Sequence, residues 1–410
     1  MDLILRNARL ASDPGRLTDI GIAAGKIAAF APQLAAEAEE LDVGGRLVSP
    51  GFVETHLHLD KSCILDRCRS ERGDLAEAIG EVARAKAAFT AEDVYARAKR
   101  TLERCILNGT THIRTHLEVD PGIGLRGLEG ILRLKQEYAW AVDIEICVFP
   151  QEGLLNNPGT EELMIGALEQ GGAVIGACPY TDTDPHGQID RIFALAREFA
   201  VDIDMHLDFD LDPDRMDLTH VCRRAEEFRY GGRVAAGHVT KLSVLEPAPL
   251  AAAAERLRSA GVALTVLPST DLFLMGRGGR NRGARGVTPA HRLLQHGVNC
   301  SLATNNVLNP FTPFGDCSLV RMANLYANVC QAAASAELGE CFNMITTRAA
   351  GLMNLARYGI AVGNDADLVV LDCATPQAAV CELAPVLYCF KRGRKTVTRS
   401  PAVLHGPGGG

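Results

Sequence analysis

From about residue 52 the chain alternates between two periods. Apolar, β-branched runs of four to eight residues are separated by longer stretches with apolar residues at helical spacing. The runs predict strands at Phe52–His58, Thr111–Val119, Asp143–Phe149, Ala173–Cys178, Val201–Phe209, Arg233–His238, Val262–Leu267 and Asn299–Thr304. The clearest helix follows residue 90. Thr90 and Asp93 form a start resembling a capping box, with Asp where Glu or Gln is usual. Val94, Ala98, Leu102, Cys105 and Ile106 make its apolar stripe, and Asn108-Gly109 suits its C-cap. About eight strands alternating with helices predict an α/β fold with a closed (β/α)8 barrel. An open doubly wound sheet competes, but the first strand is not followed by a Gly-rich phosphate turn.

The two chain ends read differently. Residues 1–50 show short strands and a glycine-turn hairpin over Asp19–Ile22 and Gly25–Ile27. Residues 359–372 and 386–397 are again β-rich. The expected division is a small β domain from 1–50 plus 358–402 and a barrel over 51–357.

Composition narrows the class. The 410 residues are 47% hydrophobic with a net charge of −8, which argues against nucleic-acid binding. The 13 cysteines, without CxxC pairs, suit free thiols in a reducing compartment. The N-terminus lacks a signal-peptide pattern, and no apolar run approaches the roughly 20 residues of a membrane span. A cytoplasmic protein with a small-molecule substrate, no membrane partner and a homo-oligomeric assembly is expected.

Candidate chemistry gathers where the predicted strands end, the face that carries barrel active sites. His56 and His58 stand two apart on strand one, so both face one side while Leu57 and Leu59 face the other. The pair alone fits a metal site or two core histidines equally well. The other strand ends decide: His116 and Glu118; Gln151 and Glu152; His206 and Asp208; His238; Ser269 to Asp271; Asn305 and Asn306. Repeated imidazole, amide and carboxylate at the ends of apolar strands point to a site. His56, His58 and His206 are candidates to hold one divalent ion with an open position for water. His238 is the candidate proton shuttle. Gln151 offers a donor and an acceptor to an N–C=O ring edge. Lys61 either polarises a substrate carbonyl or pairs with Asp60. His112, His220, His291 and His296 are expected on the surface or on helices.

Together the stretches Pro50–Lys61, Arg114-Thr115-His116, Phe149–Gly153, Asp204–Asp208, Gly237-His238, Asn305–Gly315 and Tyr358–Leu371 resemble the amidohydrolase superfamily. The likeness is to its cytosine-deaminase-like branch, which includes N-isopropylammelide amidohydrolases. The resemblance implies a distorted (β/α)8 barrel flanked by a β-sandwich from both termini. It implies zinc or iron on His56, His58 and His206, water activation by His238, and heterocycle binding by Gln151. Lys61 matches a lysine of the ammelide-type relatives.

Two positions depart from that pattern. The metal-binding strand-eight aspartate falls on Asn305, whose amide cannot act as a base although its oxygen can still coordinate. The proton-shuttling glutamate after the strand-five histidine falls on Phe209. Asp208, Asp271, His238 and Lys61 are the candidates to replace the lost groups. The expected function is a mononuclear metal hydrolase acting on a C–N bond of a small N-heterocycle or cyclic amide. Gln151, Lys61, Asn306 and Asp271 would contact the substrate, with Phe209 and Phe311 as its apolar wall. The alternatives are amide or ring-opening hydrolysis, and a non-catalytic ligand-binding descendant.

Overall fold

The helix predicted after residue 90 runs Ala91–Leu107, and the Thr90 hydroxyl accepts from the Asp93 amide at 3.2 Å. The return half of a capping box is missing, because the Asp93 carboxylate instead takes Arg67 at 2.7 Å and Arg97 at 2.9 Å. This computed structural model describes residues 1–277 and 283–405.

Eight parallel strands form the main sheet: β1 Phe52–Leu57, β2 Thr110–Glu118, β3 Asp143–Phe149, β4 Val174–Ile175, β5 Asp202–Leu207, β6 Val234–His238, β7 Val262–Val266 and β8 Cys300–Leu302. They are hydrogen-bonded in sequential order, the arrangement of a (β/α)8 barrel and not of a doubly wound sheet. The seam between β8 and β1 closes just beyond β8. Asn305 donates its amide to the His56 carbonyl at 2.8 Å, and its carbonyl accepts from the His58 amide at 2.9 Å. Below that bridge the buried Glu54 carboxylate accepts from the Thr304 amide at 2.9 Å and from the Thr304 hydroxyl. Burial pushes the Glu54 carboxyl up to about 7.

Several strands stop where the backbone turns left-handed. Asp208 (φ 48°), His238 (φ 70°) and Asn305 (φ 63°) sit at the ends of β5, β6 and the β8 run. Such conformations are costly for non-glycine residues and cluster at functional sites. The β5 ladder ends two residues before the apolar pattern does, and the side chains of His238 and Asn305 meet at the barrel mouth.

Among the described residues, all other strands join a second, separate sheet built from both chain ends. Its order is Arg394–Thr398, Val386–Lys391, Leu368–Leu371, Leu47–Pro50, Leu3–Leu10, Asp13–Ala23, Lys26–Ala31, with Glu39–Asp42 also beside Leu3–Leu10. Leu5, Ile20, Ile22, Val48, Leu368, Val370 and Phe390 form its core. The strand Leu47–Pro50 passes directly into β1 through Gly51. A side chain at Gly51 would stand 2.3 Å from the Thr111 side chain, so only glycine fits that crossing.

One buried ion cluster ties the sheets together. Lys391 Nζ, at the end of its outer strand, lies 2.7 Å from both Asp367 and Asp143, and donates to the Thr111 carbonyl at 3.1 Å. His112, expected on the surface or a helix, is instead largely buried on β2 in this junction. Among the described residues no helix is long and apolar enough to cross a membrane.

Two outcomes follow from the junction. Lys391→Met leaves Asp367 buried without its cation and should cost about 3–5 kcal/mol, read as a lower urea midpoint. Burial, then the Lys391 charge, pushes the His112 imidazole down to about 4. Unfolded, it protonates near its ordinary value of about 6.5. The unfolded chain therefore binds the extra proton first, and stability falls as pH drops from about 6.5 through 4. In His112→Asn that acid-side loss should shrink by on the order of 3 kcal/mol, measured by urea unfolding at both pH values.

Candidate metal centre and active site

Three imidazoles meet at the barrel mouth. His56 on β1 and His58 just past it each place Nε2 3.1 Å from Nε2 of His206, on β5. His58 donates its Nδ1 proton to the His116 carbonyl at 3.0 Å, which leaves its Nε2 as a lone pair facing the other two. Three such nitrogens cannot satisfy one another, since at most one can donate. A tetrahedral zinc with bonds of about 2.0–2.1 Å would hold ligand nitrogens roughly 3.3 Å apart. The donor set therefore fits a divalent ion. Burial, then neighbouring imidazoles and Lys61, holds all three histidines well below the ordinary imidazole range, in the neutral form that ligates metal.

Gly237 on β6 makes room for this cluster. A Cβ there would stand 3.0 Å from Cε1 and Nδ1 of His56. Phe149, at the end of β3, stacks on His206 with centroids 4.4 Å apart and planes at 18°. Its place at the end of an apolar run hid this role in the sequence.

His238 lies beside the three. One ring nitrogen each from His56, His206 and His238 lie within 4.8 Å of one another. The His238 Nδ1–H donates to Asp271 Oδ1 at 2.6 Å, so Nε2 carries the lone pair. Asn305 Nδ2 approaches that Nε2 at 3.5 Å. Phe209 packs against the His238 ring at a 30° tilt, centroids 3.8 Å apart, and is buried.

Several expectations need correction. Asp271, expected against substrate, is fully buried behind His238; its second oxygen accepts from the Leu267 amide at 3.1 Å. Asn306, also expected against substrate, is drawn into a ladder of amides. It donates to Asn305 Oδ1 at 2.8 Å and accepts from Asn309 at 2.7 Å, so it orients Asn305. Asp208 is no replacement base. Its carboxylate accepts from the amides of Asp217 and Leu218, both at 3.0 Å, and so caps the helix Leu218–Glu227. Lys61 pairs with Glu118 at 2.6 Å, not with Asp60, whose carboxylate accepts from the amides of Lys61 and Glu118.

The Lys61 ammonium also donates to Gln151 Oε1 at 3.1 Å and lies 4.4 Å from the Phe311 ring centroid. Gln151 donates its amide to Cys178 Sγ at 3.3 Å. Lysine, glutamine and two phenyl faces thus form one wall, beside the imidazoles. Behind it lies a cluster of Glu118, Asp120 and Glu152 that the strand ends only partly foretold. Its occupant is Lys86, 3.0 Å from Glu118, 2.5 Å from Asp120 and bonded to Glu152. That carboxylate group already holds an ammonium. Lys86 ends an amphipathic helix, Leu75–Lys86, where nothing in the sequence distinguishes it from a solvated lysine.

A barrel whose mouth gathers neutral imidazoles from its first and fifth strands offers a donor set for a divalent ion at the face where barrel enzymes carry their active sites. The sequence profile of the amidohydrolase family matches residues 39–145 and 142–394. The chain belongs to this family, whose members hydrolyse C–N bonds other than peptide bonds.

Similar proteins agree. N-isopropylammelide isopropyl amidohydrolase of Pseudomonas sp. (strain ADP) is 29% identical, covering 96% of each chain. Pterin deaminase of Rhizobium rhizogenes is 28% identical over 86% of this chain and 81% of its own. The crystal structure of 5-methylcytosine deaminase from Klebsiella pneumoniae with 5-fluorocytosine superposes with a TM-score of 0.94 at 29% identity, covering 98% of this chain and 99% of that one.

Gly237→Ala should push the His56 ring off the shared point. Zinc affinity, measured by chelator competition, should fall by about tenfold or more, with the fold retained by circular dichroism.

Proposed function

We propose that the protein is a mononuclear metal-dependent hydrolase that removes an amino or alkylamino group from a small nitrogen heterocycle. The observation that carries this reading is the meeting of the His56, His58 and His206 Nε2 atoms beside a basic His238 nitrogen. His56, His58 and His206 would hold the ion, zinc or iron. When bound, such an ion supplies Lewis acidity and a water of lowered pKa.

The chain's own residues supply the rest. His238 Nε2 accepts the proton of the attacking water, and Asp271 stabilises the imidazolium that results. The same nitrogen then returns the proton to the departing amine. Asn305 cannot take this role, because an amide has no basic lone pair at neutral pH. Its Nδ2 instead holds the ring of His238 in place. Phe209, where the family resemblance implies a glutamate, packs against that ring and shields it from water. Proton traffic thus runs through one imidazole. Lys61 donates to an oxygen or ring nitrogen of the substrate, Gln151 reads its N–C=O edge, and Phe149 and Phe311 flank its flat faces. The relatives named for ammelide, pterin and cytosine support a nitrogen heterocycle as the substrate class.

The test measures bound metal, then amine and ammonia release from pyrimidines, pterins and triazines. His206→Ala should lose the ion and the activity together. His238→Gln should keep the ion and lose about 10²–10⁴-fold in kcat. Full activity in metal-free protein would contradict the reading. Ring opening without amine release would favour amide hydrolysis instead.

A further inference from the structure

We propose that His116 is a positioning residue that sets both first-strand imidazoles for the metal, an inference that rests on the metal reading above. Two contacts carry it. The His116 carbonyl accepts the Nδ1 proton of His58 at 3.0 Å and so fixes which nitrogen of His58 faces the ion. The His116 ring stacks on His56 with centroids 3.7 Å apart and planes at 21°. One residue of β2 thereby fixes the tautomer of one ligand and the tilt of the other.

His116 is itself a candidate ligand, since one atom each of His56, His116 and Asp204 lie within 4.8 Å of one another. The stacking rules this out. Lone pairs of imidazole lie in the ring plane, and in two nearly parallel stacked rings they run side by side. They cannot converge on an ion held between them.

The ring is also an unfavourable choice for packing alone. It is fully buried, and neither of its nitrogens has a hydrogen-bond partner within the protein. The Asp204 carboxylate lies 3.4 Å from Nε2, and its other oxygen is taken by Arg114 at 2.8 Å. A buried polar ring without good hydrogen bonds calls for an explanation beyond packing. An apolar side chain would fill this volume at lower cost, but only a flat ring offers His56 a face. The geometry therefore predicts that stability and metal affinity respond in opposite senses when the ring is replaced.

The test uses the full chain and two substitutions that both keep the backbone carbonyl. In His116→Leu, zinc affinity by chelator competition should fall about 10–100-fold, and the cobalt-substituted protein should show altered ligand-field bands. The metal-free protein should melt no lower than the native one. In His116→Phe, which restores the flat face, zinc affinity should lie within about threefold of native. Native affinity in His116→Leu would overturn the proposal, as would equal losses in both variants. A lowered melting point with unchanged affinity in His116→Leu would show a merely structural residue and would also overturn it. Should His116→Leu not fold, His116→Ala takes its place under the same criteria. A native protein that binds neither zinc nor cobalt defeats the metal reading and this inference with it. Zinc binding that His206→Ala abolishes and His116→Leu leaves intact defeats this inference alone.

Discussion

Crowding His56, His58 and His206 into a buried barrel mouth favours the neutral form of all three. Burial opposes their charged form, and each positive ring would repel the next. Neutral imidazoles packed lone pair to lone pair are in turn unfavourable neighbours unless a cation lies among them. This single constraint organises the site. It demands hydrogen-bond acceptors that fix tautomers from behind, such as the His116 carbonyl for His58 and the Asp271 carboxylate for His238. It also demands space at the backbone, which Gly237 supplies.

The seam of the barrel decides which side chain completes the ring of polar groups. The main chain of Asn305 is held between the carbonyl of His56 and the amide of His58, so its side chain faces the imidazoles whatever its identity. An aspartate there would add a negative charge and a base. The amide adds neither, and the Asn306–Asn309 ladder uses its oxygen. In the proposed mechanism, proton transfer consequently depends on His238 and the carboxylate behind it. Phe209 reinforces this by covering one face of the ring.

Much of this was legible in the sequence, and for a definite reason. Barrel strands are apolar with short period, so polar residues at their ends stand out against them; His56, His58, His206 and His238, which the structure brings together, stand out in this way. What the sequence could not show is direction. Asp271 reads like a substrate contact at the end of β7, yet its carboxylate points back to His238. Asp208 looks like a spare base, yet it caps a helix. Lys86 was invisible because its helix is amphipathic, and a lysine on such a helix normally faces water. The asparagine ladder was also hidden, since amides in a turn usually serve only the turn.

The passage from the outer sheet to the barrel through Gly51 carries one more implication. His56 lies five residues beyond that glycine, roughly 17 Å along an extended strand. No loop intervenes to absorb a shift. The outer sheet therefore acts as a mooring whose alignment is transmitted along a taut line to the first two imidazoles. A slip of pairing by one position in Leu47–Pro50 would invert the facing of the strand beyond it. Variation in this distant sheet is constrained by alignment at the barrel mouth as much as by its own packing.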